Sequence, residues 1–170
     1  TKTWGKKMIL RMRRLAMAAT AIAIAFALGG KPVMAGDIDP AILTANAGFY
    51  AALNRLFAGE VEPMKAVWSH AEDVSYMGPT GQFDRGWAAV LKDWEGQAAM
   101  KLGGKVGPSE MRVIAGRDLA VVSCYEVGEN TNAAGKVEEL KLRATSIFRK
   151  EGDLWKMVGH QTDKLPYLAK

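Results

Sequence analysis

The chain predicts an α+β domain in which three helices precede an antiparallel meander of strands. Three observations carry this. Apolar residues recur at helical spacing in the first half, at Ile42, Ala45, Phe49, Leu53 and Leu56, and again at Trp87, Val90, Leu91, Trp94 and Ala98. After Gly103-Gly104 the pattern changes to strand-like runs rich in Val and Tyr. Short polar turns join those runs, and short connections imply antiparallel neighbours. Helices that cover one face of such a sheet complete the α+β layout.

The first 35 residues stand apart from this domain. Lys6, Lys7, Arg11, Arg13 and Arg14 form a basic stretch, and Leu15 to Leu28 is apolar except for Thr20. Val33-Met34-Ala35 then offers the small residues that a signal peptidase reads. The pattern predicts a secretory signal peptide over residues 1–35, cleavage before Gly36, and one domain over residues 36–170. The apolar run is shorter than the roughly 20 residues a membrane-spanning helix needs. The expected address is periplasmic or secreted, with no stable membrane insertion after cleavage.

The leader also accounts for the basic charge. The chain has 23 Lys and Arg against 18 Asp and Glu, a net charge of +5. Seven of those bases lie in the leader, so the remaining domain has 16 bases against 18 acids, about −2. The basic total therefore says nothing about nucleic acid, and no nucleic-acid-binding signature is present. Cys124 is the single cysteine and lies in an apolar run, where a buried inert thiol is expected.

The domain then proceeds element by element. Asp39 caps the first helix and Pro40 suits its first position, with Gly59 at its end. A short second helix begins near Pro63, with Met64, Val67 and Trp68 inward. Asp73 to Met77 reads as a strand, and Gly78-Pro79-Thr80-Gly81 as a turn. Asp84 is expected to cap the third helix, which Gly103-Gly104 stops. Strands follow over Glu110 to Ala115, Leu119 to Glu129, Val137 to Lys150 and Leu154 to Thr162. On the long strand Leu140, Leu142, Ala144, Ser146 and Phe148 share one face, and Arg143, Thr145 and Ile147 share the other. Patterning alone favours the apolar face against the helices.

The ordered set of Trp68, the strand to Met77, Gly78-Pro79-Thr80-Gly81, Gly86-Trp87, Trp94-Glu95 and Trp155 to Asp163 suggests a family. It resembles the SnoaL-like, ketosteroid-isomerase-like branch of the nuclear transport factor 2-like superfamily, over Ile38 to Leu168. The resemblance implies a cone-shaped domain, a strongly curved antiparallel sheet wrapped around about three N-terminal helices, with a pocket inside. It also implies a homodimer built on the outer sheet face. On that implication Arg143, Thr145 and Ile147 turn to the pocket, and Leu140, Leu142 and Phe148 to a partner.

The sequence does not fit the family's steroid isomerisation. The resemblance places its carboxylate base at Gly78, its tyrosine donor near Ala52 (two residues from Tyr50) and its acid donor near Thr145. Glycine and alanine side chains cannot move a proton or hold an enolate.

The remaining candidates are few. His160 is the sharpest local signal for acid–base chemistry, although strand parity turns it away from Asp163. A histidine simply hydrogen-bonded within the sheet is the plainer reading. Tyr76, Trp94, Tyr125, Arg143 and Thr145 are candidate ligand contacts, polar tips inside an apolar hollow. Ordinary packing with satisfied tips is the competing reading. His70 with Glu72 and Asp73 matches no metal-ligand spacing and reads as a solvated loop. Ser123 lacks the partners of a nucleophile, and no phosphate or dinucleotide fingerprint occurs. No cofactor or metal is expected. The first functional expectation is a binding domain for a small apolar or amphipathic ligand. The second is a cofactor-independent isomerase, lyase or hydrolase with His160 as acid/base and Tyr76 or Arg143 assisting. The third is a homodimeric association domain with a vestigial pocket.

Overall fold

The computed structural model describes residues 38–164 except 133, so the expected signal peptide and its cleavage point lie outside the described residues. Helix α1 spans Pro40–Phe57. Asp39 caps it as expected, accepting from the Ala41 N–H at 2.9 Å, while Pro40 supplies its first turn. The buried stripe Ile42, Phe49, Leu53 and Leu56 faces the sheet, and Gly59 follows with φ +103. Helix α2 covers Glu62–Val67 and helix α3 covers Trp87–Met100, with Val90, Trp94 and Ala98 inward.

Six strands form one curved open sheet: β1 (Ser75–Met77), β2 (Phe83–Arg85), β3 (Lys105–Ala115), β4 (Leu119–Thr131), β5 (Val137–Glu151) and β6 (Leu154–Lys164). Their order is β2-β1-β6-β5-β4-β3. The last four form the antiparallel meander, and β1 joins it parallel to β6, setting Tyr76 beside His160. The helices cover the inner face. Phe49, Trp68, Trp94, Phe148 and Met157 are all at most 1% exposed and form the centre of the core.

Two element readings are corrected. Asp84 does not cap α3; it lies within β2 opposite Tyr76, and Gly86 occupies the cap with φ +79. The three-residue strand β2 hides behind turn-like residues. Strand β3 begins at Lys105, five residues before Glu110, because it is an edge strand and so accommodates Pro108, which has no N–H to give. Asn54 anchors that extension, donating to the Val106 carbonyl at 2.9 Å and accepting from its N–H at 2.8 Å. A register shift between Ser109 and Arg112, with Glu110 at φ 52, bends the strand.

The largest correction concerns the two faces of β5. Leu142, Ala144, Ser146 and Phe148 are buried against the helices, whereas Arg143 is exposed and Thr145 and Ile147 are half-buried on the outer face. The plain amphipathic pattern decides the matter, and the assignment taken from the resemblance is reversed. Helices that must cover an apolar stripe leave no room for a guanidinium there.

Candidate functional site

A cavity of about 100 Å³ opens between the helices and the inner sheet face, walled by Leu53, Tyr76, Trp94, Leu142, Glu126 and His160. Glu126 arrives by strand parity, and His160 by a register shift at Val158 that puts it out of step with Trp155 and Met157. Glu126 shares the inward stripe of β4 with Val122 and Cys124, and His160 lies inward on β6 with Thr162. Both are 3% exposed. His160 Nε2 lies 3.4 Å from Glu126 Oε1.

The sheet register explains how residues two strands apart meet. Glu126 pairs with Leu142, and Ser146 pairs with His160. Ala144 lies between Leu142 and Ser146 on the same face, and its methyl leaves the space that Glu126 and His160 cross. The imidazole sits between aromatic neighbours, 4.7 Å from the Phe49 ring and 5.9 Å from the Tyr76 ring, centroid to centroid.

The hydrogen bonds fix orientation. Tyr50 Oη donates to Glu126 Oε1 at 3.2 Å, and Cys124 Sγ lies 3.2 Å from the same phenol oxygen. The phenol proton goes to the carboxylate, so the thiol donates to the phenol. Burial, then the charge of Glu126, pushes the Tyr50 phenol well above the usual tyrosine range. It therefore stays a donor. Burial likewise pushes Cys124 up, so it is a thiol and not a nucleophile. Ser146 Oγ meets His160 Nδ1 at 3.0 Å. Ser146 thus occupies Nδ1 and leaves Nε2 as the nitrogen that faces Glu126.

A second polar group stands beside this one. Gln97 Nε2 donates to Tyr76 Oη at 3.1 Å and to Asp93 Oδ2 at 2.6 Å. Burial raises the Tyr76 phenol too. At Gly78, where the resemblance would place a base, an added Cβ would fall 2.8 Å from Tyr76 Oη and closer still to the Gln82 amide. That corner is filled by an amide rather than a carboxylate.

The structure brings His160, Tyr76 and Trp94 to one cavity. It does not bring Tyr125, Arg143 and Thr145 there. Tyr125 pairs with Arg143 in register, Arg143 forms a 3.3 Å ion pair with Asp163, and Thr145 lies opposite Ser123 and Gln161. The contributions of β4, β5 and β6 in those two rows belong to the outer face. Those three ligand assignments, and the helper role given to Arg143, are corrected on parity. His70 stacks on Trp87 with ring centroids 4.2 Å apart, and its Nε2 lies 2.9 Å from the Lys65 carbonyl oxygen. Glu126, Tyr50 and Ser146 are the residues that sequence reasoning missed. The available signal was a carboxylate on the otherwise apolar inward stripe of β4.

Residues 42–162 match the SnoaL-like domain family. No curated protein matches the chain significantly. Among solved structures, a candidate dehydratase of the nuclear transport factor 2-like family from Streptomyces avermitilis is similar. It is 22% identical, with TM-score 0.66 over 74% of this chain and 95% of that one. A candidate calcium/calmodulin-dependent protein kinase type II association domain from Thiobacillus denitrificans is 24% identical, with TM-score 0.63 over 72% and 94%. A candidate aromatic ring hydroxylase from Novosphingobium aromaticivorans is 18% identical, with TM-score 0.62 over 74% and 87%. At these identities the structural likeness establishes the fold. The family match spans well over half of the chain and agrees with the helix-covered curved sheet, so the chain belongs to the SnoaL-like domain family and shares the fold of nuclear transport factor 2-like proteins.

Proposed function

We propose that the protein is a cofactor-independent proton-transfer enzyme, a lyase or isomerase, that acts on a small molecule through Glu126 and His160. The observation that carries this is the carboxylate and imidazole 3.4 Å apart, both buried, in the wall of one cavity. His160 alone leaves passive binding as the first reading; Glu126 beside it reverses that order. Burying two ionisable groups costs several kcal/mol each, and such a pair is a poor source of stability. A hollow built only to hold an apolar ligand would be better lined with leucine. Paired titratable groups in a cleft are instead what acid–base chemistry requires.

The pair suits a reaction that needs one proton taken and one returned on the same side of the substrate. In a β-elimination, one group takes the proton from the carbon beside a carbonyl. The C–H electron pair becomes the new double bond, and the C–O bond to the β-hydroxyl breaks. The other group gives that leaving oxygen its proton, and water departs. In an allylic isomerisation the proton returns to a different carbon and nothing leaves. Ser146 holds Nδ1 so that Nε2 is the working nitrogen, and Tyr50 holds the carboxylate. The dehydratase designation of the Streptomyces avermitilis protein accords with the lyase branch.

The test needs no known product. The protein is incubated in D₂O with neutral and anionic carbonyl compounds, and deuterium uptake at carbon is followed by mass spectrometry. Wild type should exchange at least one of them, and His160→Ala should slow that exchange about 10²–10⁴-fold. Binding without exchange across the whole panel would return the protein to the ligand-carrier reading. We further propose that the domain is exported, to the periplasm or beyond, and that it works as a homodimer through its outer sheet face.

A further inference from the structure

Two polar side chains of the cavity wall are left without partners. Trp94 Nε1 and Thr162 Oγ1 are both buried without a hydrogen-bond partner among the described residues, and both residues line the hollow. Trp94 is 0% and Thr162 4% exposed. An unpartnered buried donor carries a desolvation penalty that nothing else in the fold offsets. The indole N–H can only donate, so it requires an acceptor. The threonine hydroxyl accepts or donates.

The charge of the wall limits what that acceptor can be. Glu126 is the acidic group in it, and no lysine or arginine lines the cavity among the described residues. A carboxylate or phosphate drawn in would lie beside Glu126 with no lysine or arginine to offset it. An uncharged oxygen meets the open donors without that cost. The volume, about 100 Å³, is smaller than the roughly 150 Å³ cavity that holds benzene.

We infer that the substrate is a small uncharged hydroxycarbonyl compound whose oxygens take the hydrogen bonds left open by Trp94 Nε1 and Thr162 Oγ1. This rests on the proton-transfer reading of the same cavity and adds to it the substrate class. Trp94 and Thr162 hold the compound, and Glu126 and His160 move its protons. Selectivity for the uncharged compound follows from a wall that holds Glu126 and neither lysine nor arginine, rather than from shape.

Binding tests this without turnover. The indole N–H resonance of Trp94, identified by its loss in Trp94→Phe, is followed in ¹⁵N-labelled protein during titration. The probes are hydroxyacetone, uncharged, and lactate, an anion of similar size. Hydroxyacetone should shift the resonance saturably and lactate should not. Thr162→Val, which keeps the shape and loses the hydroxyl, should weaken hydroxyacetone binding about three- to tenfold. Three results would overturn the inference: lactate binding as tightly as hydroxyacetone, a Trp94 signal that hydroxyacetone leaves unmoved, or unchanged affinity in Thr162→Val. His160-dependent deuterium exchange on anionic compounds alone would also sink the substrate class while leaving the acid–base pair intact.

Discussion

Tyr50 shows how much one hydroxyl does at this site. Its ring packs edge-on against Phe49 at 5.1 Å, while its oxygen joins Glu126 and Cys124. Tyr50→Phe keeps the ring and removes the hydrogen bond to a buried carboxylate. The loss should cost about 1–3 kcal/mol, measured as a lower denaturant midpoint. Glu126→Gln keeps the shape and removes the charge. It should leave the fold intact and slow any His160-dependent exchange, because the amide cannot take up a proton. His160 was legible in the sequence because histidine is rare there, but its inward direction was not, because a register shift at Val158 breaks the alternation of β6. Its partner was not legible, because Glu126 lies 34 positions away on a strand that does not neighbour β6. Only the pairing of β5 with both strands, across the small Ala144, brings them together.

At the scale of elements, Ala144 makes that geometry testable. A larger side chain there enters the space between Glu126 and His160. Ala144→Leu should overpack the inner face at about 1–3 kcal/mol and part the pair, so exchange falls more than stability does. The start of α1 offers a second test. Asp39 accepts from Ala41 N–H through one oxygen and from Trp155 Nε1 at 3.0 Å through the other, tying the helix to β6. The Ala41 N–H first, then Trp155, hold its carboxyl below the usual aspartate range. A depressed folded value means the contribution is complete above the pKa of the unfolded chain and is lost as pH falls through the folded one. Asp39→Asn should therefore weaken the acid dependence of stability below about pH 4, seen in melts across that range. The cap itself was legible from Asp39-Pro40, because capping is local chemistry. The reach to Trp155 was not, nor was the first half of β3. Glycines and Pro108 there imitate a loop until the edge position is known.

At the scale of the molecule, export and assembly are the remaining predictions. Intact mass of the exported protein should place its N-terminus at Gly36, and a soluble form retaining the leader would count against export. Assembly follows from the corrected sheet faces. Leu142 and Phe148 are 6% and 0% exposed beneath the helices, so they cannot meet a partner. The outer face instead carries an apolar row in register across four strands, Ile114, Val121, Ile147 and Gly159. Ile114 is 75% exposed, and Leu119 on the same face is 51% exposed. Monomers rarely leave such apolar surface contiguous and uncovered. Light scattering at micromolar concentration should therefore give a dimer. Val121→Glu places a carboxylate at the centre of the row, where water receives it in a monomer and apolar side chains surround it in a dimer. It should yield a folded monomer with an unchanged circular dichroism spectrum. Leu142→Asp, on the opposite face of the sheet, should instead unfold the domain, because it buries an unpaired charge in the core. A monomeric wild type, or a Val121→Glu protein that stays dimeric, would remove the outer face as the interface.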